Sequence, residues 1–213
     1  FANGDYYFDQ TVVLNQNHNN ATFKGMGNNV RFHSLKQVTG WTAHSGSIQK
    51  APSPLPAGTY VRYLQDASED WMPRSATANF KAAETTPNPE DSYHDPAAQS
   101  NKLNVQHPID FSLNIDWTKA TQYDLRAAQC SWNLELLTIA SYDAGDRRIT
   151  TQVPAMYEMR AHETEAIWPN INAVMNTIVG IDEPGEWAII DDTIYLYPKS
   201  GTGDIFIPSL TEL

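Results

Sequence analysis

The chain has 213 residues, of which 41% are hydrophobic and 18% are charged, and its formal net charge is −11. The apolar fraction is high enough for a packed core, which excludes a globally disordered chain. The acidic excess argues against nucleic acid and anionic membranes as partners, because both require clustered Lys and Arg. No apolar run approaches the length of a transmembrane helix, so we expect no membrane span.

A single cysteine, Cys130, excludes an internal disulfide bond and leaves the redox compartment undetermined. The sequence shows no signal peptide, and it opens at Phe1 inside a strand-forming stretch. We therefore expect a mature or trimmed chain whose targeting segment is not seen.

Residues 1–41 alternate short β-rich segments with turns rich in Asn and Gly, spaced roughly eight residues apart. Stacked turns with Asn-rich corners suit a parallel β-solenoid, in which each coil pairs only with its neighbours. The edge of a β-sandwich would give a similar pattern, and both interpretations stay open at this point.

The next segment, residues 42–81, contains Pro52, Pro54 and Pro56, three prolines in five residues, which exclude a central strand at that point because proline cannot donate to the ladder. Residues 60–64 alternate like a half-buried strand. Residues 82–102 are polar, contain prolines and lack periodicity, so they predict a long surface loop.

From residue 103 onward, alternating apolar and polar residues predict antiparallel strands. The segment 143–146 predicts a turn, and Asp191-Asp192 predicts the turn of a hairpin. The one predicted helix runs from 173 to 179 and ends at Gly180, in the position after a helix where glycine is favoured. Residues 205–213 predict a last strand.

No nucleophile elbow, phosphate-binding loop or His-Glu-x-x-His motif occurs, and the six histidines share no spacing typical of metal ligands. We therefore predict no metal, no cofactor and no catalytic residue. Neighbouring acids such as Asp182 and Glu183 do not form a glycosidase pair, since successive strand residues point to opposite faces.

The chain has six tryptophans, whose ordinary role is core packing. Trp71 and Trp168 each lie beside a proline in a turn-rich stretch, so we expect these two to be exposed. An exposed aromatic ring can stack on a sugar ring. In the run Asp182-Glu183-Pro184-Gly185-Glu186-Trp187, we predict a turn at Pro184-Gly185 and a packing role for Trp187.

Four motifs occur in an order that covers nearly the whole chain. They are Gly4-Asp5-Tyr6-Tyr7, Val38-Thr39-Gly40-Trp41, Pro73 to Asn79, and Pro184-Gly185-Glu186-Trp187 followed by Tyr195-Leu196-Tyr197-Pro198. This order resembles the N-terminal portion of right-handed parallel β-helix carbohydrate-active enzymes, namely the β-xylosidase- and α-L-fucosidase-like glycoside hydrolases of the pectate-lyase-like superfamily. Ala76 stands where that pattern has a second arginine.

The resemblance implies an all-β fold with one short helix. It comprises the start of a right-handed parallel β-helix at 1–41, an antiparallel β-sandwich at 42–204, and a strand at 205–213 that returns to the β-helix. In that family the catalytic carboxylates lie on later coils. The implied function is an accessory N-terminal part of a secreted glycoside hydrolase, which caps the helix and shapes the cleft for a polysaccharide.

Three residues are predicted to contact the glycan: Trp71, Arg74 and Trp168. Arg74 could donate paired hydrogen bonds to a sugar hydroxyl or carboxylate. The expected partners are a polysaccharide or oligosaccharide and either the remainder of a β-helix chain or another copy of this one. The expected location is secreted, periplasmic or at the cell surface.

Two alternatives remain open. The chain could be a stand-alone carbohydrate-binding or surface-assembly module that associates through open strand edges. It could also be a complete small lyase or hydrolase, which would require two carboxylates, or acids with a basic residue, converging in one cleft.

Overall fold

The structure is a computed structural model that describes residues 1–8, 14–68, 70–82, 103–108, 111, 114–130, 133–157, 159, 171–200 and 203–209. The predicted loop at 82–102, beyond its first residue, and Trp168 lie outside the described residues. No helix in the described part of the chain is long and apolar enough to cross a membrane.

The described residues form fifteen strands and three short 3₁₀ helices. The strands are β1 (Gly4–Tyr7), β2 (Val30–His33), β3 (Leu35–Val38), β4 (Thr42–Ser45), β5 (Ile48–Pro52), β6 (Gln65–Asp66), β7 (Phe80–Lys81), β8 (Asn104–Gln106), β9 (Asp124–Cys130), β10 (Asn133–Asp143), β11 (Arg148–Thr151), β12 (Ile171–Met175), β13 (Trp187–Ile190), β14 (Thr193–Leu196) and β15 (Ile205–Pro208). The 3₁₀ helices are Gln16–His18, Trp117–Gln122 and Ile178–Gly180.

The chain divides into two compact units. Unit 1 combines Phe1–Pro73 with Pro184–Leu213, and unit 2 is the intervening segment Arg74–Glu183. Unit 1 contains the pair β1-β2, the four-stranded sheet β13-β14-β5-β4 and the three-stranded sheet β3-β15-β6. Unit 2 contains the six-stranded sheet β7-β12-β9-β10-β11-β8. The predicted boundaries at residues 41 and 204 stay a prediction.

The core of unit 1 is built around the indole of Trp187, which is fully buried. Its Nε1 donates a hydrogen bond of 2.9 Å to the Met72 carbonyl, so the one polar atom of the ring has a partner. Leu64, Ile194 and Ile207 pack in the same apolar cluster. The strands β13, β14 and β15 thus meet around one large side chain.

The core of unit 2 comes from the inward-facing residues of its sheet. Leu125 and Ala127 of β9, Ile139 of β10, Ile149 of β11 and Val174 of β12 are fully buried. Each pair of neighbouring strands in this sheet is antiparallel. The alternation of apolar and polar residues from residue 103 onward predicted such antiparallel strands.

The predicted right-handed parallel β-helix is wrong. In the described residues the one parallel pairing is β1 with β2, over four residue pairs, and every other pairing is antiparallel. The segment after β2 turns back on itself, because β4 and β5 form a hairpin around Gly46, whose φ is +55°. Evenly spaced turns set strand length and do not specify the direction of the partner strand, which explains the error.

The predicted helix at 173–179 is also wrong. Residues 171–175 form the strand β12, and the residue after it, Asn176, has φ +66°. A 3₁₀ turn follows, in which the Thr177 hydroxyl accepts a hydrogen bond from the Gly180 amide. Gly180 is required by close packing, since a Cβ there would lie 2.6 Å from the carbonyl carbon of Ala76. Seven residues with several β-branched side chains favour a helix too weakly to resist sheet pairing.

Three turn predictions are confirmed. Asp191 and Asp192 have φ of +48° and +56° and join β13 to β14, as a two-residue type I′ hairpin turn requires. Pro184 and Gly185 form a turn, with Gly185 at φ +100°. In the third turn, the Asp143 carboxylate accepts hydrogen bonds from the amides of Gly145 and Asp146.

Candidate functional site

The pair β1-β2 in unit 1 has two chemically different faces. The register places Asp5 opposite Arg31 and Tyr7 opposite His33, and alternation brings these four side chains to one face. The opposite face carries Tyr6 and Phe32, whose rings lie 5.7 Å apart. A short ribbon therefore separates a polar surface from an aromatic one.

The polar face forms one wall of an open groove with a volume of about 240 Å³. The other residues that line it come from β3, β6 and β15 and the segments beside them: Leu35, Gln65, Asp66, Ala67, Asp204 and Phe206. All of these residues belong to unit 1. We refer to this feature as the β1-β2 groove.

The Tyr7 ring is held in the groove by a defined stack. It lies 4.9 Å from the His33 ring with an interplanar angle of 20°. The His33 Nε2 is in turn 2.8 Å from the Asp5 carboxylate, which orients the imidazole. Tyr7 remains 59% exposed, so one aromatic surface is both positioned and open to solvent.

Asp66 organises the loop next to the groove. Its Oδ1 accepts hydrogen bonds from the amides of Ser68, at 2.9 Å, and Asp70, at 3.2 Å, and its Oδ2 contacts Lys199 Nζ at 2.9 Å. Burial raises the pKa of Asp66, but the hydrogen bonds from Lys199, Asp70 and Ser68 outweigh it and bring the pKa below its ordinary value of 3.8. The contact with Asp66 raises the pKa of Lys199.

The loop that Asp66 organises presents Trp71. A backbone bridge joins Trp71 to Gln65 of β6, and the Met72 amide donates to the Leu64 carbonyl at 2.8 Å. Trp71 is 63% exposed, which confirms the predicted exposure, and it lies 5.1 Å from the ring of Tyr63, which is 56% exposed. We call Tyr63 and Trp71 the aromatic platform.

The segment that carries Tyr63 is not the strand that residues 60–64 predicted. Among the described residues it is an irregular segment, in which Val61 and Leu64 are buried while Tyr60, Arg62 and Tyr63 are exposed. The Arg62 Nε donates to the Tyr60 hydroxyl at 3.1 Å. The exposed aromatics therefore point outward because the buried Val61 and Leu64, each next to one of them in sequence, anchor the segment.

Arg74 lies in a buried ion pair in unit 2. Its Nη1 donates to the Asp124 Oδ2 at 2.6 Å, and both side chains are almost fully buried. Asp124 also accepts a hydrogen bond of 3.2 Å from the Thr138 hydroxyl. In this structure the predicted glycan contact Arg74 supports the sheet of unit 2, and it is not part of the β1-β2 groove. Its role in glycan binding, like that of Trp71 and Trp168, stays a prediction.

A stack of three aromatic rings occupies unit 2. Trp117 lies 3.9 Å from Tyr142, and Tyr142 lies 5.9 Å from His107, with nearly parallel rings in both cases. Burial lowers the pKa of His107, as does the Arg147 charge, although the hydrogen bond to the Pro108 carbonyl raises it. Neutral His107 then donates through Nδ1 to that carbonyl and accepts the Tyr142 hydroxyl at Nε2. The polar atoms of His107 and Tyr142 are used within unit 2, so we interpret the stack as a structural feature.

Sequence reasoning missed Tyr7, Asp5 and Asp204 in the groove and Tyr63 in the platform. A signal for Tyr7 was present, because Asp5 and Tyr7 are two apart in a strand-forming segment and must share a face. No local signal links them to Asp204, which reaches the groove from the far end of the chain. Within the described residues, no group of three or more His, Cys, Asp or Glu side chains could hold a metal ion.

Comparison with known proteins identifies one likeness in structure. No protein-family model matches the sequence, and no curated protein does. A solved structure described as a glycoside hydrolase aligns with a TM-score of 0.69 and 16% sequence identity, over 100% of this chain and 38% of that chain. The chain thus spans 38% of the length of that neighbour, and at this identity the likeness concerns the fold alone. The fold is all-β with antiparallel sheets, so the predicted membership in the parallel β-helix family is corrected.

Proposed function

We propose that this chain is the glycan-contacting, accessory part of a carbohydrate-active protein, and that its ligand is a polysaccharide or oligosaccharide. The observation that carries the proposal is the aromatic platform, two large exposed rings 5.1 Å apart, of which Trp71 is presented by the loop that Asp66 holds. The fold likeness to a protein named as a glycoside hydrolase supports the same class of ligand.

The platform suits a sugar because sugars present flat C–H faces that pack on aromatic rings, while their hydroxyls need polar partners. Trp71 and Tyr63 supply the rings, and the indole N–H and phenol are polar groups at their edges. The loop is held by hydrogen bonds from two amides to Asp66, which reduces the ordering cost of binding.

The chain's contribution is to bind and orient the glycan, and the hydrolytic acids belong to another part of the same protein. On this proposal the protein is secreted or periplasmic, or lies at the cell surface, because polymeric glycans are encountered there. The acidic net charge of −11 agrees with a partner that is neither nucleic acid nor an anionic membrane.

The test is affinity electrophoresis and calorimetry against a panel of soluble polysaccharides, with Trp71→Ala and Tyr63→Ala. Loss of a central aromatic contact typically costs more than about 1 kcal/mol, so each variant should bind at least about fivefold more weakly. Phe23→Ala is the matched control, because Phe23 is an aromatic residue of the same unit with a similar exposure of 58%.

Two results would contradict the proposal. Either no polysaccharide of the panel binds, or binding is unchanged in both platform variants while their thermal stability is unaltered. Equal weakening by Phe23→Ala would indicate general apolar adhesion, which also argues against a specific site.

A second candidate is a surface-assembly module, in which copies of this chain associate through the β1-β2 ribbon. It is favoured by exposed apolar residues on and next to that ribbon, since Phe32 of β2 is 52% exposed and Phe23 and Met26 are 58% and 81% exposed. Light scattering coupled to size exclusion tests it. Assembly predicts a concentration-dependent mass that Phe32→Ser lowers, and a constant monomer mass contradicts it.

A further inference from the structure

The β1-β2 groove differs from the platform in its chemistry. The platform presents aromatic rings, whereas the groove combines one open ring, Tyr7, with three aspartates. One of them, Asp66, belongs to both features, because it lines the groove and holds the loop that presents Trp71. A glycan held on the platform thus has the groove within the same unit as a place for further sugar units.

Charge limits what the groove accepts. Asp5, Asp66, Asp204 and Arg31 all line the groove, and Lys199 contacts Asp66 from outside the lining at 2.9 Å. Three carboxylates against Arg31 and Lys199 leave an excess of one negative charge among these side chains. The net charge of −11 for the whole chain adds to this local field. An anionic sugar would meet repulsion from this excess negative charge.

Two of these carboxylates, Asp5 and Asp204, are exposed and suit neutral sugars, whereas Asp66 is buried and already paired with Ser68, Asp70 and Lys199. An ionised carboxylate is an acceptor with two oxygens, and a hydrogen bond to a charged acceptor is about twice as strong as one between neutral groups. Neighbouring hydroxyls of a sugar ring offer two donors to one such group. Gln65 can add both a donor and an acceptor to the same wall.

Tyr7 provides the surface on which the ring would lie. One face of the phenol stacks on His33, and the Asp5 carboxylate holds that imidazole at 2.8 Å. The ring therefore keeps its orientation without a ligand, while 59% of the residue stays exposed. A fixed aromatic ring next to carboxylates is a binding surface for a hydroxylated ring, and it lacks the clustered cations that a uronate requires.

We propose that the β1-β2 groove binds neutral sugar units, stacked on Tyr7 and hydrogen-bonded by the exposed carboxylates of Asp5 and Asp204, and that it discriminates against uronic-acid polymers. This inference rests on the proposed function, since it names the class of glycan that the chain contacts. It differs in its residues, because Tyr7 and Asp204 belong to the groove and not to the platform.

The experiment compares polymers that carry a carboxylate with the same polymers in which that group is a neutral alcohol. Polygalacturonate, polymannuronate and glucuronoxylan are each tested beside the same polymer with its carboxylates reduced to primary alcohols, by calorimetry at pH 8 and low salt. Wild-type protein should bind at least one reduced, neutral polymer at least about tenfold more tightly than its uronate parent.

The variants test the aromatic ring of Tyr7 and the negative charge of the lining separately. Tyr7→Ala should weaken binding of the neutral polymer about tenfold, while Tyr7→Phe keeps the ring and should stay within about twofold of wild type. Asp204→Asn removes one negative charge from the lining and should reduce the discrimination about threefold. Asp182→Asn is the matched control, since it removes one charge from unit 2 and should leave the discrimination unchanged. A thermal melt of each variant checks that it is folded.

Each outcome decides one point. If a uronate polymer binds as tightly as its reduced, neutral counterpart, the proposed discrimination against uronates is wrong, while the proposed function stands. If Trp71→Ala abolishes binding of the neutral polymer and Tyr7→Ala leaves it unchanged, the groove is not the site. The proposed function stands in that case. If no polymer binds, both fall.

Discussion

At the scale of single residues, Asp66 is the side chain on which the candidate site depends most. It is 2% exposed, accepts two backbone hydrogen bonds and contacts Lys199. Such a group lowers the free energy of the folded state only while it is ionised. Because its pKa in the folded protein lies below the ordinary value of 3.8, its contribution is complete above that value. It is lost as the pH falls through the folded-state pKa.

Asp66→Asn tests this dependence. The amide keeps the shape of the carboxylate but loses the charge that attracts Lys199, so the free energy of unfolding at pH 7 should fall by about 1–3 kcal/mol. The difference between variant and wild type should shrink as the pH is lowered below 3.8. Urea denaturation measured across this range supplies the values.

Asp146→Asn is the control for Asp66→Asn. Asp146 contacts Arg148 at 3.0 Å, but both side chains are about half exposed, so water screens the pair. Its replacement should change stability by less than about 0.5 kcal/mol. A difference between Asp66→Asn and wild type that persisted unchanged at the lowest pH would contradict the assigned role.

At the scale of elements, the β13-β14 hairpin shows how a two-residue turn is maintained. Asp191 and Asp192 both have positive φ, and the Asp192 Oδ1 also accepts a hydrogen bond of 2.8 Å from the Gly58 amide. Asp tolerates this backbone region better than most residues, though at a cost that glycine avoids.

The effect of a substitution at Asp191 on the free energy of unfolding should therefore depend on how well the new residue tolerates positive φ. Asp191→Gly should raise the free energy of unfolding by about 0.5–1 kcal/mol, while Asp191→Val should lower it by about 1–2 kcal/mol, because a β-branched residue resists positive φ. Chemical denaturation of both variants measures the effect. The same sign for both would show that side-chain contacts, and not backbone conformation, govern this position.

At the scale of the whole molecule, one unit is inserted into the other in sequence. Unit 1 is built from both ends of the chain, and unit 2 lies between Pro73 and Pro184. Each unit has its own buried side chains, with Trp187 in unit 1 and the Arg74–Asp124 pair in unit 2. Local stability is therefore expected to differ between the units.

Hydrogen exchange measured by mass spectrometry tests this expectation. Arg74→Met leaves the Asp124 charge buried without its ion-pair partner, which typically costs about 3–5 kcal/mol, so exchange should accelerate in β9 and β12 first. Trp187→Phe removes the donor to the Met72 carbonyl and should accelerate β13 and β14 first, at a cost of about 1–3 kcal/mol. Equal acceleration in both units by either variant would mean that they unfold as one.

Local features of this fold could be predicted from the sequence, and distant pairings could not. The hairpin at Asp191 and Asp192 joins neighbouring residues, so the signal and the structure lie in the same segment. Strand β3 pairs with β15, where Val38 lies opposite Ile205, and no pattern within either segment specifies the other. The parallel β-helix was wrongly predicted for this reason, since a turn-rich segment can pair with a partner strand in either direction.

The candidate site shows the same division. The exposure of Trp71 followed from its turn-rich neighbourhood, whereas the buried partner of Arg74 lies 50 residues away in the chain. The sequence alone determined an acidic, all-β chain with defined turns and the packing role of Trp187. Tertiary structure decided the strand directions, the pairing of Arg74 with Asp124, and the groove that joins Tyr7 to Asp204. The physical reason is that turn conformation and hydrophobic alternation are local properties of the chain, while burial and charge pairing depend on which distant segments meet.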